Sequence, residues 1–526
     1  MYTILNKFTI VEPSSTIWKK LLNKIEFLMN KIYDIFIVGG GINGCGIARD
    51  AASRGYSVNL AEKNDLSSGT SSASSKLIHG GLRYLENYEF LLVRKALKER
   101  DTLLSIAPHI VKESRIILPH HKGLRPAWML KLGMMLYDSL YFSKFIKRSR
   151  PIDILSHESK GVLLDSYSKG FEYSDCTADD SRLTILNAVD AKKFGAHIST
   201  RVFVNKIEQI DNIWEVQTTN SLTDESQTVK AKVVINATGP WVDTFLKDSY
   251  QKSSSSNIRL VKGSHVVLKK IFNHSYSYIF QNADGRIFFA IPWEGEFTFI
   301  GTTDVDFKED IDDISASEFE ISYIIESANE YFKNKISRGD VVSSWSGVRP
   351  LFENGSQKAQ KVSRDYVIRE DSRVDDSSLV NVFGGKLTTF RQLSEDVVDL
   401  IESIIGHKKP SSTSKNHLPG GNFKAIDKEA LIHDLSKKYD YLDLDYLERL
   451  YNLYGTRAEL VLSKVFTIGD LGLNFGKSLY QVEVDYLMQE EFALTPEDIT
   501  ERRTKLYLFF NKNNLKELGK YMEKNR

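Results

Sequence analysis

The chain has 526 residues, with 70 basic and 69 acidic side chains, so its formal net charge at neutral pH is +1. A chain of this length is expected to fold as two or three domains. The charge balance argues against a nucleic-acid-binding protein, which would carry a basic excess or a basic stripe. Two cysteines, Cys45 and Cys176, are too few for a disulfide framework, and the sequence lacks the Cys/His clusters that would predict a metal site.

The first 28 residues form an N-terminal extension with a basic amphipathic pattern. Lysines lie mostly away from one apolar helical face, which contains Ile17, Leu21, Ile25, Leu28 and Ile32. Three interpretations stay open: a helix on an anionic membrane surface, a helix packed on the protein itself, or a stretch that the native protein lacks because Met29 is the true start. A mitochondrial transit peptide is disfavoured because no arginine precedes Arg49.

The stretch from Tyr33 to Gly44 carries the most informative motif. Residues 33–38 are apolar enough for a buried strand, and the glycines that follow have G-x-G-x-x-G spacing: Gly39, Gly41 and Gly44. The first glycine permits a tight turn, the second lets a pyrophosphate approach the backbone, and the third lets a helix pack on the strand. The helix N-terminus then offers free N–H groups to phosphates. The pattern predicts a dinucleotide-binding unit.

The next residues complete this unit. Gly55 ends the predicted helix, and a second strand over residues 56–61 is followed by Glu62. Glu62 comes 21 residues after Gly41, which is the spacing at which an acidic side chain accepts hydrogen bonds from the ribose of an unphosphorylated adenosine. Cys45, on the first turn of the helix, is interpreted as a small packing residue.

A serine-rich loop over residues 63–76 connects the second strand to the segment Leu77 to Tyr84. Serine-rich loops are commonly flexible linkers. This loop runs directly out of a cofactor-binding strand, however, so it is predicted to wrap around the far end of the dinucleotide. A helix follows over residues 88–107, and Pro108 ends it.

The remaining sequence predicts two further units. Helices are predicted at 128–141, 179–191, 316–332 and after 428, and strands at 196–204, 214–218, 232–236, 259–268, 276–281, 286–293, 297–303 and 379–383. The strands between residues 258 and 305 predict the sheet of a second domain. The last strand opens into Gly384 and Gly385, a second glycine turn before a helix, which suits the oxygens of a bound cofactor.

Three cations lie in or beside glycine-containing turns: Arg83, Arg349 and Lys386. A planar guanidinium binds phosphate through paired hydrogen bonds. A surface ion pair would be the better interpretation of one isolated arginine. Three cations in cofactor-adjacent segments instead favour a site for a small phosphorylated alcohol.

Seven sequence blocks carry a family resemblance: Ser71–Glu86, Gly170–Cys176, Asn236–Trp241, Val261–His265, Gly301–Asp304, Ser346–Pro350 and Phe383–Thr389. In these blocks the chain resembles the FAD-dependent glycerol-3-phosphate dehydrogenases of the aerobic, respiratory type, within the wider family of D-amino-acid and sarcosine oxidases. The resemblance implies an α/β plus α fold of the D-amino-acid oxidase-like two-domain kind. A Rossmann-like FAD-binding domain and a mixed-sheet substrate domain would be followed by a C-terminal helical domain.

The resemblance also implies domain boundaries and site residues. The FAD-binding domain would comprise residues 29–110, 177–255 and 345–405, the substrate domain residues 111–176 and 256–344, and the helical domain residues 406–526. FAD contacts are expected from Gly39, Gly41, Asn43, Gly44, Glu62, Ser72, Ser74, Ser75, Val204, Gly239, Gly384, Gly385, Leu387 and Thr388. Arg83, Tyr84, Thr302, Arg349 and Lys386 would bind the substrate, and His265, Arg349 and Lys386 would be catalytic.

The implied reaction is oxidation of sn-glycerol 3-phosphate at C2 to dihydroxyacetone phosphate. Hydride would pass to N5 of the flavin while a base takes the hydroxyl proton. The ordinary pKa of histidine suits His265 to this role near neutrality. A histidine in a strand is often only a hydrogen-bonded core residue, so Lys386 or an arginine-assisted transfer compete for the same role.

The resemblance further implies a membrane quinone, ubiquinone or menaquinone, as the electron acceptor. It thereby implies a peripheral protein on the cytoplasmic face of a bacterial inner membrane, and a homodimer. A nucleic-acid partner is not expected. The alternatives are a glycerol-3-phosphate oxidase that uses O₂, a flavin-dependent amine oxidase, or a flavin-dependent tRNA-modifying relative.

Overall fold

The computed structural model describes residues 31–251, 257–282, 284–353, 365–374 and 377–526. The basic amphipathic pattern from Ile17 to Ile32 lies outside the described residues, except for its last two positions, Lys31 and Ile32. Two mixed sheets and a C-terminal group of helices make up the described chain.

The first part of the chain alternates between the two sheets. Its elements are β1 (Ile32–Val38), α1 (Ile42–Arg54), β2 (Val58–Glu62), β3 (Leu77–Ile78), α2 (Phe90–Ile106), β4 (Val111–Pro119), α3 (Ala127–Leu140), β5 (Arg150–Asp153) and β6 (Lys169–Ala178). Short 3-10 helices cover Thr70–Ser72 and Leu82–Asn87.

The middle of the chain completes both sheets. Its elements are α4 (Asp180–Lys193), β7 (His197–Thr200), β8 (Val202–Ile210), β9 (Ile213–Asn220), β10 (Ser226–Asn236), α5 (Val242–Asp248), β11 (Ile258–Lys269), β12 (Ser277–Gln281), β13 (Ile287–Trp293), β14 (Phe297–Gly301), β15 (Val305–Asp306), α6 (Glu318–Asn329), β16 (Val341–Phe352), β17 (Val367–Val374), β18 (Ser377–Phe383) and α7 (Phe390–Ile405).

The C-terminal part is helical and has its own apolar core. Its helices are α8 (Lys428–Lys438), α9 (Leu444–Tyr454), α10 (Ala458–Val461), α11 (Gln481–Glu490) and α12 (Lys512–Asn525), with a π-helical turn at Asp498–Arg503. Leu447, Leu450 and Leu487 are fully buried in that core. Helix formation after residue 428 agrees with the sequence prediction.

The first sheet contains the two strands of the predicted dinucleotide motif, β1 and β2. Its order is β17-β18-β10-β1-β2-β7, with β18, β10, β1, β2 and β7 parallel, and the β8–β9 hairpin is attached to β10. Helices α1, α4 and α7 contribute to the core that covers one face of the sheet. Parallel strands buried on both faces are continuously apolar, as residues 35–38 are. The carboxyl ends of β1, β2 and β10 meet at one edge, where such sheets bind ligands.

The second sheet has ten strands, and all but one of its pairings are antiparallel. Its order is β15-β11-β14-β13-β12-β4-β6-β3, with β16 paired to β11 and β5 paired to β6. Ile321, Ile324 and Ile325 of α6 pack into the apolar core on one face. Strand β11 therefore has β16 along one side and β14 and β15 along the other.

Two features differ from the sequence prediction. The single strand predicted over residues 196–204 is two strands, because Arg201 has a positive φ of 60° that interrupts the extended backbone. Residues 345–352, predicted to belong to the FAD-binding domain, lie in β16 and pair with β11 in the ten-stranded sheet. The domain division itself stays a prediction.

No helix in the described ranges is long and apolar enough to cross a bilayer. The same residues contain no group of three or more His, Cys, Asp or Glu side chains suited to a metal ion.

Candidate functional site

A cavity of about 1200 Å³ is lined by residues of both sheets. Every predicted site residue lines this cavity except Gly44. A side chain on Gly44 would place its Cβ 1.9 Å from the carbonyl oxygen of Gly39. Gly44 therefore allows α1 to pack against the turn, which is the role expected of the third glycine of the motif.

The turn after β1 needs glycine at its first position. Gly39 has a φ of +107°, and a Cβ there would lie 2.7 Å from the carbonyl oxygen of Ala237. Gly41, the residue before α1, has no side chain to cap the helix, and a Cβ on Gly41 would meet only the hydroxyl of Ser71. Gly41, Ile42 and Asn43 at the N-terminus of α1 line the cavity.

Glu62 is held by the backbone at the end of β2. One carboxylate oxygen accepts a hydrogen bond from the Gly40 N–H at 2.6 Å, and the other accepts one from the Asn64 N–H at 2.8 Å. Burial raises the pKa of this carboxyl. Each oxygen keeps a further lone pair for a ligand hydroxyl.

The serine-rich loop folds back onto the start of α1, so it is not a free linker. The hydroxyl of Ser71 accepts a hydrogen bond from the Ile42 N–H at 2.9 Å. Ser72 donates to the Gly69 carbonyl, and Ser74 donates to Asp180 at 2.7 Å. These bonds hold the loop along the cavity wall. Its contact with the far end of the dinucleotide stays a prediction.

The second glycine turn contacts the first. Gly384 and Gly385 have φ values of +74° and +95°, which favour glycine. The amide of Asn43, on α1, donates to the Gly384 carbonyl at 3.2 Å. Its carbonyl oxygen is buried and has no hydrogen-bond partner among the described residues. A bound ligand could satisfy this oxygen.

These groups fit a dinucleotide such as FAD. The open helix N-terminus suits a pyrophosphate, the Glu62 carboxylate suits ribose hydroxyls, and the unsatisfied Asn43 oxygen accepts a donor. Four further predicted contacts line the same cavity: Val204, Gly239, Leu387 and Thr388.

Strands β11 and β16 place three site residues on one face: His265 and Arg349, which were predicted, and Trp345, which was not. His265 pairs with Trp345, and Val261 pairs with Arg349, in the antiparallel register. Because side chains alternate along a strand, positions 265, 345 and 349 face the same side. The rings of His265 and Trp345 stack at 4.9 Å. Trp345 was not predicted, because the sequence did not indicate that β16 is a strand.

Arg349 is paired with a carboxylate that the sequence analysis did not list as a site residue. Its guanidinium forms an ion pair with Asp304 and donates to the Thr302 hydroxyl at 3.3 Å. Asp304 belongs to the block that also contains Thr302, so this block was the available signal. Gly263 makes the arrangement possible, because a Cβ there would lie 2.4 Å from Nη2 of Arg349.

Arg83 and Lys386 differ from Arg349 in their surroundings. Neither side chain has an ion-pair partner among the described residues, and both line the cavity. The Lys386 ammonium lies 4.3 Å from the centre of the Tyr84 ring. A cation held by an aromatic face keeps its charge available to an anionic ligand.

His265 is buried, with its side chain nearly inaccessible to solvent. Its Nε2 is 2.9 Å from the Ser75 hydroxyl, and its Nδ1 has no hydrogen-bond partner among the described residues. Burial, followed by the charges of Arg349 and Lys76, lowers the pKa of His265 well below its usual range. The direction of this pKa shift favours the neutral imidazole at pH 7. The role of His265 as the base stays a prediction.

Lys76 is a buried cation that the sequence analysis missed. Its ammonium lies 2.9 Å and 3.0 Å from the two oxygens of Asp180 and 5.1 Å from the centre of the Trp345 ring. It follows the predicted Ser74 and Ser75 directly, so its position at the end of the serine-rich loop was the available signal.

Lys63, Trp241 and Asp312 contact one another on the cavity wall. The Asp312 carboxylate accepts from the Lys63 ammonium at 2.8 Å and from the Trp241 indole N–H at 3.0 Å. Lys63 also lies 4.7 Å from the centre of the Trp241 ring. The three residues come from distant segments, so their meeting could not be read from the sequence.

The C-terminal region supplies part of the cavity wall: Glu501, Arg502, Lys505 and Tyr507. Arg502 pairs with Asp65 at 2.5 Å, and Lys505 pairs with Asp179 at 3.1 Å. Asp65 follows β2 of the first sheet, and Asp179 directly precedes α4, which packs on that sheet. The helical region is thus joined to the site, a role that the sequence analysis did not assign.

The comparisons with known proteins agree with this geometry. A family model described as FAD dependent oxidoreductase matches residues 34–386, and one described as C-terminal domain of alpha-glycerophosphate oxidase matches residues 411–524. The chain belongs to the FAD-dependent oxidoreductase family. Its cofactor is FAD, as the sequence predicted, and the predicted fold class and family resemblance are confirmed.

Individual members of the FAD-dependent oxidoreductase family are similar over most of the chain. D-erythritol 1-phosphate dehydrogenase of Brucella abortus is 45% identical over 475 residues, covering 90% of this chain and 94% of its own. Glycerol-3-phosphate dehydrogenase of Pseudomonas aeruginosa is 43% identical over 493 residues, covering 94% and 95%. The structure of glycerol-3-phosphate dehydrogenase from Bacillus halodurans with FAD has a TM-score of 0.75 at 28% identity, covering 96% and 94%.

Proposed function

We propose that this enzyme oxidises sn-glycerol 3-phosphate at C2 to dihydroxyacetone phosphate. The observation that carries the proposal is the presence of Arg83, Arg349 and Lys386 in the same cavity as the cofactor-binding turns. Cationic side chains of this kind bind a phosphate dianion through charge-assisted hydrogen bonds. A relative 43% identical is named glycerol-3-phosphate dehydrogenase, which supports the same substrate.

The cations divide the work of binding. Arg83 and Lys386 have no ion-pair partner among the described residues and would compensate the phosphate charge. Arg349 is already paired with Asp304, which fixes the direction of its guanidinium. It would therefore position the C2 oxygen and stabilise negative charge as the hydroxyl proton leaves.

His265 is the candidate for holding that proton. Its neutral imidazole can accept a proton at pH 7, and the contact with Ser75 fixes the orientation of the ring. Its lowered pKa makes it a weak base, so proton removal would depend on Arg349 lowering the pKa of the substrate hydroxyl. Bound FAD supplies the hydride acceptor.

The proposed electron acceptor is a membrane quinone, ubiquinone or menaquinone. The enzyme would then work on the cytoplasmic face of a bacterial inner membrane as a peripheral protein. The alternative acceptor is O₂, and homodimer formation stays a prediction.

D-erythritol 1-phosphate is the second candidate substrate, because a relative 45% identical is named for it. It is also a polyol phosphate, and it is one carbon longer than glycerol 3-phosphate. Arg83 and Lys386 would bind its phosphate in the same way, so the charges of the cavity do not separate the two substrates.

The deciding experiment is an anaerobic visible spectrum of the purified holoenzyme. Each polyol phosphate is added in turn, and the enzyme then receives a short-chain ubiquinone analogue or air. Bleaching at lower concentrations of glycerol 3-phosphate than of D-erythritol 1-phosphate is the expected result. Faster reoxidation by quinone than by air would support the dehydrogenase, and rapid reoxidation by air with peroxide would select the oxidase. Bleaching by neither phosphate would overturn the proposed substrate class.

A further inference from the structure

The turn that carries Arg83 begins at Gly80, shortly after β3. The next residue, Gly81, has a φ of +75°, and its carbonyl oxygen accepts a hydrogen bond from the Tyr84 N–H at 2.8 Å. This bond starts the 3-10 helix Leu82–Asn87, from which Arg83 and Tyr84 line the cavity. The place of the Arg83 side chain in the cavity therefore depends on what holds the peptide of Gly80.

Two side chains hold the N–H of Gly80. It donates to the hydroxyl of Tyr137 at 2.9 Å and, over a longer distance of 3.3 Å, to the carboxylate of Asp175. The Tyr137 hydroxyl in turn donates to the same Asp175 oxygen at 2.7 Å. The three groups thus hydrogen-bond to one another, and the shorter of the two bonds to the Gly80 N–H is made by Tyr137.

These hydrogen bonds are shielded from water. Tyr137 and Asp175 are each 1% exposed, and Arg100, which is also buried, donates to the same Asp175 oxygen at 3.2 Å. A Cβ on Gly80 would lie 2.5 Å from the Tyr137 hydroxyl and 2.5 Å from Leu97, so the peptide packs closely on both side chains. Loss of a partner here would leave a buried polar group poorly satisfied, which costs more than the same loss at the surface.

Packing alone does not explain the hydroxyl of Tyr137. Its ring lies in an apolar cluster between α2, α3 and the ten-stranded sheet, with the ring of Tyr173 edge-on at 6.2 Å. A phenylalanine would fill the same space and make the same ring contact. The hydroxyl adds the hydrogen bonds to Asp175 and Gly80, so its contribution is to the turn rather than to the core.

We propose that Tyr137 is a positioning residue for the substrate phosphate. Its hydroxyl holds the Gly80 peptide, this peptide sets the start of the 3-10 helix, and the helix directs Arg83 into the cavity. Arg349 is oriented by its ion pair with Asp304, whereas Arg83 has no ion-pair partner in the described part of the chain and depends on its backbone. The inference rests on the proposed function, in which Arg83 compensates the phosphate charge.

The test compares Tyr137→Phe with the unmodified holoenzyme in steady-state kinetics, with whichever polyol phosphate bleaches the flavin as substrate. The variant keeps the ring and loses the hydrogen bond to Gly80, so kcat/KM should fall about tenfold, mostly through a higher KM. The ratio of flavin to protein absorbance should not change. The matched control is Tyr141→Phe, at a half-buried tyrosine directly after α3 whose hydroxyl makes no hydrogen bond to the described residues; it should match the unmodified enzyme.

A double-mutant cycle with Arg83→Ala separates positioning of Arg83 from a general loosening of the fold. If Tyr137 acts through Arg83, adding Tyr137→Phe to Arg83→Ala should lower kcat/KM by less than about twofold further, because the side chain that it positions is already absent. A purely structural role would lower kcat/KM by the same factor with and without Arg83.

Two results would overturn the inference while the proposed function stands. Tyr137→Phe could have the same kcat/KM as the unmodified enzyme, or its loss could be equally large in the Arg83→Ala background. Failure of the proposed function has a different signature, because neither polyol phosphate would then bleach the flavin of the unmodified enzyme, and the inference would fall with it.

Discussion

Arg83 and Arg349 show how the surroundings of a side chain decide its role. Arg349 forms an ion pair with Asp304, which compensates part of its charge and holds its guanidinium in one orientation. Arg83 has no such partner among the described residues and lines the same cavity. An unpaired guanidinium beside a cavity is the more effective ligand for a free phosphate group, because binding does not require an existing ion pair to break.

Arg83→Ala should therefore reduce kcat/KM for the polyol phosphate by about 10²-fold, as expected for loss of a charge-assisted contact. The flavin should remain bound. Steady-state kinetics and the ratio of flavin to protein absorbance give the two measurements. Arg94→Ala, which removes an exposed arginine from α2, is the control. Equal kinetics for the two variants would contradict the role of Arg83.

His109 makes a separate contribution to the pH dependence of stability. It is fully buried, and neither ring nitrogen has a hydrogen-bond partner among the described residues. Burial, followed by the charges of Arg182, Lys428 and Lys112, lowers the pKa of its imidazole well below the usual range. In the unfolded chain His109 takes up a proton below about pH 6.5, whereas in the folded protein it does not. Its contribution to stability is therefore lost as the pH falls through that range.

His109→Leu should remove this dependence. Between pH 6 and pH 5 the variant should become more stable relative to the unmodified enzyme by at most about 1.4 kcal/mol per pH unit. Chemical unfolding at several pH values with excess FAD measures the difference. His433→Leu, at an exposed position on α8, should run parallel to the unmodified enzyme. A constant difference between His109→Leu and the unmodified enzyme across this range would contradict the prediction.

At the scale of the element, β11 needs a residue without a side chain at the position where Arg349 packs against it, and Gly263 is that residue. A Cβ at Gly263 would lie 2.4 Å from Nη2 of Arg349 and 2.5 Å from the Thr302 hydroxyl. Both contacts are ends of side chains, and the backbone oxygen of Thr303, at 3.1 Å, would need to shift by only a few tenths of an ångström. The strand can therefore keep its fold while Arg349 moves. Displacement of a positioning group by about 1 Å can cost roughly 10²-fold in rate.

Gly263→Ala should lower kcat/KM by about that factor and leave flavin binding and the unfolding midpoint nearly unchanged. Kinetics and thermal unfolding are the measurements. Gly133→Ala in α3 is the matched control, since a Cβ there meets no atom within 4 Å. If Gly263→Ala keeps full activity, the close contact with Arg349 does not matter for catalysis.

Elements whose signal is local could be predicted from the sequence, and those that depend on pairing could not. Strand β1, the glycine turn and α1 follow from a short stretch of residues, and all three occur as predicted. Strand β16 was missed because its sequence has no clear strand pattern of its own. Only its pairing with β11 in the structure identifies it as a strand. For the same reason the pairing of Arg349 with Asp304 needed the three-dimensional register.

At the scale of the whole molecule, buried ion pairs join the helical region to the flavin-binding part. Arg182 on α4 forms a bidentate pair with Glu491, and both side chains are fully buried. Arg503 pairs with Asp65 at 2.8 Å. Removal of one partner would leave the other charge buried without compensation, which is strongly destabilising.

Glu491→Ala should destabilise the enzyme by about 3–5 kcal/mol. Glu490→Ala breaks a partly exposed pair with Arg457 and should cost less than about 1 kcal/mol. Guanidinium unfolding, followed by tryptophan fluorescence and flavin release, compares the two variants. Similar costs for these neighbouring positions would show that the Glu491 pair does not hold the regions together.

The whole-chain resemblance predicted the family and the cofactor, but not the use of the helical region. That region has no local motif, and its contribution to the cavity depends on contacts between residues hundreds of positions apart, such as Arg502 and Asp65. The exposure of apolar side chains on α3 was also missed. In the sequence, α3 has the composition of a buried helix, and only the structure shows which of its faces is exposed.

The position of residues 501–507 has a consequence for synthesis of the enzyme. These residues are more than 450 positions beyond the first glycine turn, at residue 39, yet both line the same cavity. A ribosome makes the turn long before this part of the wall. The cavity can therefore be completed only after residues 501–507 have left the ribosome, and a chain that terminates before them would lack that part of its wall.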